Sequence, residues 1–223
     1  MLHYGGNNLE RLFLKDKLFI SEYANNLISV KKTDIPGIDM EDLIARHKAR
    51  YGIVALFCKP GLKVLDFPCG SGYASKLLSK YKIIYIGAEV DKYIVEYANL
   101  EYRQGKYGYF IQDDLTNIKL KEKFDIIACI EGIEHIGRND QYKTLNKFYD
   151  LLNSNGVLII SMPEAKEKSG PNSNNKFHLY ERTKKDFEIL LSNFKNVQIL
   201  EQENKLSTGK VQNCLYGICR KEK

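Results

Sequence analysis

No cysteine stands in a CxxC pair, no stretch is proline-rich, and no apolar run approaches the length that crosses a bilayer. The 5 cysteines (Cys58, Cys69, Cys129, Cys214 and Cys219) are an odd set, and most of them lie within or beside apolar runs. This excludes a small disulfide-stapled scaffold and reads as reduced thiols in a core. The opening residues MLHYGGNNLERLF lack a basic stretch leading into an apolar one and a cleavage site. A soluble, cytoplasmic protein is therefore expected. Internal repeats and low-complexity tracts are also missing, and only GPNSNNK (170–176) has the composition of a long flexible loop. The charge excess is small, +6 from 34 Lys and Arg against 28 Asp and Glu, which suits a solvated surface better than a nucleic-acid partner.

What is present is enough for one compact domain: 223 residues, 43% of them hydrophobic. Residues 8–30 carry Leu9, Leu12, Phe13 and Leu18 at helical spacing, and Asp39 with Asp42 resembles a capping arrangement that opens a helix over 40–57. Beyond it the period changes. Strand-like runs KVLDF (63–67), IIYIGAE (83–89), YGYFIQ (107–112), FDIIACI (124–130) and GVLIISM (156–162) alternate with helix candidates at 72–80, 91–103 and 139–152. Such alternation implies right-handed crossovers and a doubly wound α/β fold with a mostly parallel sheet. The runs NVQIL (196–200) and NCLYGIC (213–219), with STG between them, add an antiparallel C-terminal hairpin and so a reversed strand. The chain divides into an N-terminal helical extension or lid (1–60), a cofactor-binding core (61–165) and an acceptor loop, helix and hairpin (166–223).

In such a sheet a ligand binds outside the carboxyl ends of the strands, at the switch point. The loop VLDFPCGSGYAS follows the first of these strands, with Asp66 at the strand end and Gly70 and Gly72 permitting close backbone approach. It has neither the GxGxxG nor the GK[ST] pattern, so it is not built to cradle a pyrophosphate. Glu89 closes the second strand, where an acid can accept from both hydroxyls of a ribose. Asp113 and Asp114 follow the third and offer a carboxylate to an exocyclic amine, Asp114 being the better placed. Each acid alone fits a helix cap equally well. Their order along the chain favours a nucleoside site.

These stretches, VLDFPCGSG, GAEVD, IQDDL, FDIIACIEGIEHI and LNSNGVLIISMPE, resemble the class I S-adenosylmethionine-dependent methyltransferases over residues 46–200. The resemblance implies that Asp66 and the Gly70 backbone hold the methionine part, Glu89 the ribose, and Asp114 with Leu115 the adenine of S-adenosylmethionine. Pro68, Gly72, Val90, Asp113, Glu131, Arg50 and Tyr51 complete the expected cofactor-binding set. Phe67 and Pro68 depart from the family's small residues and stiffen the loop. His135 in IEGIEHIG is the expected general base, because imidazole is poised near neutral pH, with Glu131 or His178 assisting. The helix-start reading of these residues, with the glutamates complementing the helix dipole, competes with it.

Two narrower resemblances pull apart. RHKARYGIVA (46–55) and the stretch from SMPEAKEKSG through HLYERTKKDFEILL are similar to bacterial methyltransferases of capsule, O-antigen and other surface-glycan pathways. They imply a glycan or nucleotide-sugar precursor methylated on a hydroxyl or phosphate-type oxygen, and a lead-in segment carrying Arg50 and Tyr51 that closes over the cofactor or simply packs on the sheet. Glu131, Glu134, His135 and His178 instead resemble the divalent-metal centre of small-RNA 3′-terminal 2′-O-methyltransferases. No metal is expected in the leading reading, and no RNA-binding module accompanies the slight basic excess. A non-catalytic cofactor-binding partner is the third alternative. Acceptor identity and oligomeric state have no readable code here.

Overall fold

A computed structural model describes residues 10–13, 18–23, 26–30, 40–173, 175–205 and 211–222. The helical spacing read over residues 8–30 is not realised. Residues 10–30 instead contribute three antiparallel strands, β1 (Glu10–Phe13), β2 (Leu18–Tyr23) and β3 (Asn26–Val30), with Phe13 opposite Leu18 and Tyr23 opposite Asn26. Four apolar positions fit a helical period by coincidence, whereas LFISEY and NLISV are short runs rich in aromatic and β-branched residues, which suit a pleated ribbon. Leu9 and the capping residue Asp39 lie outside the described residues.

The first helix, α1 (Met40–Ala55), falls where its apolar period places it. The α/β units follow in chain order: β4 (Lys63–Asp66), α2 (Ala74–Leu78), β5 (Ile84–Glu89), α3 (Lys92–Tyr102), β6 (Gly108–Gln112), β7 (Phe124–Ile130), α4 (Arg138–Leu151) and β8 (Leu152–Pro163). Then come α5 (Lys184–Leu190), β9 (Asn196–Lys205) and β10 (Val211–Arg220). Asp91 caps α3 by accepting the Tyr93 N–H at 2.9 Å, and Thr183 caps α5.

Seven strands form one sheet in the order β6-β5-β4-β7-β8-β10-β9. Strands β4 to β8 pair in parallel, and β10 runs antiparallel to both β8 and β9, so the reversed strand of the expected hairpin sits one place in from the edge. The STG turn itself lies outside the described residues. Successive side chains of β7 alternate between two apolar layers: Ile126, Ala128 and Ile130 meet α1, α2 and α3, while Ile127 and Cys129 meet α4 and α5. Both faces are thus covered. On the second face Leu145, Phe148 and Leu151 of α4 are buried, each worth on the order of 1.5–3 kcal/mol. All five cysteines are buried free thiols. No helix among the described residues is long and apolar enough to cross a membrane.

Candidate active site

The strand order reverses at β4, between β5 and β7, and a cavity of about 430 Å³ opens there. Its wall is built from the loops after β4, β5, β6 and β7, together with α1 and the 176–179 segment. Pro68 and Gly70 come from the first loop, Glu89 and Val90 from the second, Asp114 and Leu115 from the third, Glu131 and His135 from the fourth, and Tyr51 from α1. All of these were expected from the sequence.

Other expected residues stand behind that wall. Asp66 is fully buried; both of its oxygens accept from the Tyr51 hydroxyl at 3.1 and 3.0 Å, and one also accepts from Tyr85. Burial pushes its carboxyl up to about 7; the tyrosine hydroxyls oppose the shift and the Glu89 charge adds to it. Gly72 has φ +87°, and a Cβ there would lie 2.6 Å from the Phe110 ring, so it shapes the loop rather than touching the cavity. Asp113 faces away: its carboxylate accepts the N–H groups of Asp114, Lys119 and Leu120 at 2.9–3.2 Å and closes the loop after β6. Arg50 is also outside the lining and reaches the site through Glu131 at 3.1 Å.

Glu131 adopts φ +49°, a left-handed conformation that costs a non-glycine residue energy. The cost is offset by a closed set of partners. Its carboxylate takes the Arg50 guanidinium, the Ser161 hydroxyl at 3.0 Å and the Cys214 thiol at 3.0 Å, while its N–H donates to the Ser161 oxygen. Glu131 therefore joins α1, β8 and β10 at the cavity floor. The hydrogen bonds of its carboxylate run to these elements and not to His135.

His135 sits on a short 3-10 turn, Ile133–His135, and its Nδ1 lies 3.0 Å from the Phe177 carbonyl. A carbonyl only accepts, so Nδ1 carries the proton and the basic lone pair is on Nε2. The His178 ring meets the His135 ring edge-on, centroids 5.1 Å apart, and its own Nδ1 lies 2.5 Å from a Glu181 carboxylate oxygen. Glu134 is 1% exposed, and its Oε2 has no hydrogen-bond partner. Burial first, then repulsion from Glu131, pushes its carboxyl well above the usual range. One atom each from Glu134, His135 and His178 falls within a 4.8 Å cluster, so three of the four residues of the alternative metal reading lie together, while the Glu131 carboxylate is bonded elsewhere.

Sequence reasoning missed His47 and Tyr73, whose Nδ1 and hydroxyl are 2.8 Å apart on the cavity wall, and also Lys176, Phe177 and Leu179. The helical period of α1 marked a buried stripe but not which polar residue would turn toward the pocket.

The chain's own residues fit an adenosyl ligand. A buried Glu89 carboxylate stands at one side of the cavity, held by the Val90 N–H at 2.8 Å, and Asp114 stands one strand further, held by Thr116. Residues 65–160 match the family described as a methyltransferase domain. Over 103 residues the chain is 31% identical to the ubiquinone biosynthesis O-methyltransferase of Coxiella burnetii (strain Dugway 5J108-111), covering 45% of this chain and 43% of that protein. The aligned stretch thus spans less than half the length of that curated relative. The structure is similar, with a TM-score of 0.64 at 18% identity over 81% of both chains, to a Burkholderia thailandensis 1,6-didemethyltoxoflavin-N1-methyltransferase bound to S-adenosylhomocysteine. At the same TM-score and 13% identity, over 79% of this chain and 82% of the other, it is similar to the [4+2]-cyclase SpnF. The fold is that of the class I methyltransferases. Within that fold, residues 65–160 are the stretch that matches the methyltransferase-domain family.

Proposed function

We propose that the chain methylates an oxygen of an acceptor that enters the cavity beside His135. One observation carries this reading: the carboxylates of Glu89 and Asp114 and the imidazole of His135 line the same cavity. S-adenosylmethionine supplies a methyl group already activated on a sulfonium, so the protein's work is to position, to exclude water and to manage one proton. Glu89 orients the ribose and Asp114 with Leu115 the adenine. Tyr51, held by Asp66, closes one wall. With the cofactor bound, His135 would take the acceptor's proton at Nε2 as the methyl carbon exchanges its bond to sulfur for one to the acceptor oxygen, the thioether S-adenosylhomocysteine being the leaving group. The imidazolium that results is supported through Nδ1 by the Phe177 carbonyl, with His178 and Glu181 behind it.

The acceptor we favour is a hydroxyl or phosphate-type oxygen of a glycan or nucleotide-sugar precursor for a surface polysaccharide. It is supported by the resemblance of residues 46–55 and of the segment after β8, and by Lys176, whose ammonium lies beside the Phe177 ring at the rim of the cavity. A second reading, metal-assisted methylation of an RNA ribose, draws on the Glu134, His135 and His178 cluster. Incubating the full chain with the methyl donor and candidate acceptors, read by mass spectrometry, tests both. A product heavier by one methyl group is expected from sugar-nucleotide acceptors and survives chelation. His135→Ala lowers turnover by roughly 100- to 10,000-fold while leaving cofactor affinity nearly intact. Unchanged turnover in that variant removes the base, and loss of activity on chelation with recovery in Mn²⁺ moves the assignment to the metal reading.

A further inference from the structure

Two segments bring His135 and His178 together, the 3-10 turn 133–135 and the stretch 177–182 after the long loop. They are crosslinked by main-chain atoms: the Tyr180 N–H donates to the Glu134 carbonyl at 3.1 Å. Beneath this junction lies Gln141 in the first turn of α4, with no exposure. Its amide nitrogen donates to the carbonyls of Ile133 at 2.9 Å and Tyr180 at 2.7 Å, with Ile136 a longer third acceptor at 3.4 Å. The two short bonds use both amide hydrogens, one on each segment. Without the amide the Ile133 carbonyl would keep only the longer bond from the Ile136 N–H at 3.4 Å, and the part-buried Tyr180 carbonyl would lose its donor.

This works only if the amide faces one way, and a second buried residue fixes that. The Arg182 Nε donates to the Gln141 Oε1 at 2.7 Å, so a flipped amide would set two donors against each other. Arg182 is 2% exposed, and its guanidinium carbon lies 4.9 Å from the Tyr142 ring centroid and 5.2 Å from that of Tyr180. Two aromatic faces thus hold a charge whose Nη2 makes no hydrogen bond.

We propose that Gln141, oriented by Arg182, is a positioning residue that keeps the His135 and His178 segments in register and thereby sets the rate of methyl transfer. The proposal rests on the reading of His135 as the proton acceptor. Neither residue lines the cavity, so cofactor binding should be spared.

The test is Gln141→Glu in the full chain. Its carboxylate still pairs with Arg182 but opposes the three carbonyls. Hydrogen exchange should show the Tyr180 amide opening on the order of tenfold faster while amides of β7 keep their protection. Turnover should fall on the order of 10- to 100-fold, with the dissociation constant for S-adenosylhomocysteine within about threefold of the parent. In a His135→Ala background the same change should cost less than about threefold, because a residue acting through His135 has nothing left to position. Unchanged exchange at Tyr180 overturns the proposal, as does a turnover penalty that persists undiminished in the His135→Ala background. A parent chain that transfers no methyl group defeats the reading of the site instead, and the exchange measurement still decides whether the clasp exists. Should the glutamate variant fail to fold, Gln141→Asn keeps the amide one methylene short and runs through the same measurements.

Discussion

Asp113 and Asp114 are adjacent carboxylates to which the fold gives opposite tasks, one closing a loop from inside and the other lining the cavity. A strand-end acid is legible in a sequence because parallel strands end at the crevice; which of two neighbours faces it depends on the turn that follows. Asp113 turns inward because three N–H groups, those of Asp114, Lys119 and Leu120, converge on it. Glu131 was equally unreadable, since its partners Arg50, Ser161 and Cys214 come from three elements distant in the chain. Glu89 is the opposite case. Its position at the end of β5 follows from the strand pattern, and the structure holds its Oε1 with the N–H groups of Val90 and Asp91 at 2.8 and 3.3 Å. On the proposed reading Glu89 makes two charge-assisted bonds to a ribose, roughly 1.5–3 kcal/mol each and not strictly additive, so Glu89→Ala is expected to weaken binding about 10- to 1,000-fold. Titration calorimetry with S-adenosylhomocysteine checks this. Unchanged affinity would show that the ribose does not lie against β5.

At the scale of elements, the alternation of buried strands with amphipathic helices was readable because each strand of the parallel sheet is apolar on both faces and each helix on one. The N-terminal strands were not, because four apolar residues are too few to distinguish a period of 3.6 from short strands. Contacts between loops were invisible as well, and one of them couples the two halves of the site. A Cβ at Gly132 would lie 2.2 Å from the Pro68 ring, so the loop after β7 rests directly on the loop after β4. Gly132 has φ −141°, which any residue adopts, and the obstacle is a rigid ring and not the backbone. Gly132→Ala must therefore push the two loops apart, with an expected loss of about 1–3 kcal/mol in urea unfolding. Gly170→Ala is the control: a Cβ there would meet nothing within 4 Å, and the change should stay within about 0.5 kcal/mol. Equal midpoints for the two variants would mean that the loops separate without cost.

At the scale of the whole molecule, an ionisable group has been placed where it weakens the fold. Asp66 ends the interior strand β4, between Tyr51 of α1 and Tyr85 of β5, with Glu89 close enough to repel it and no cation hydrogen-bonded to its carboxylate among the described residues. Burial dominates, so the native carboxyl holds its proton up to about pH 7, whereas the unfolded one releases it near the usual aspartate value. Between those two values the native state binds more protons than the unfolded state, so stability declines as pH rises. The decline stops once the native group ionises. Each pH unit is worth about 1.4 kcal/mol, so from pH 5 to 8 this group alone should remove about 3 kcal/mol. Glu134, whose carboxyl burial also raises, acts in the same direction, so total stability against pH would not isolate Asp66. Asp66→Asn does, because the amide is uncharged throughout and still offers an oxygen to a tyrosine hydroxyl. The stability of the variant relative to the parent, from urea unfolding at pH 5, 6, 7 and 8, should rise by about 3 kcal/mol across the series and level off above pH 7. A difference that stays flat would mean that the carboxyl ionises at its ordinary value in the folded chain.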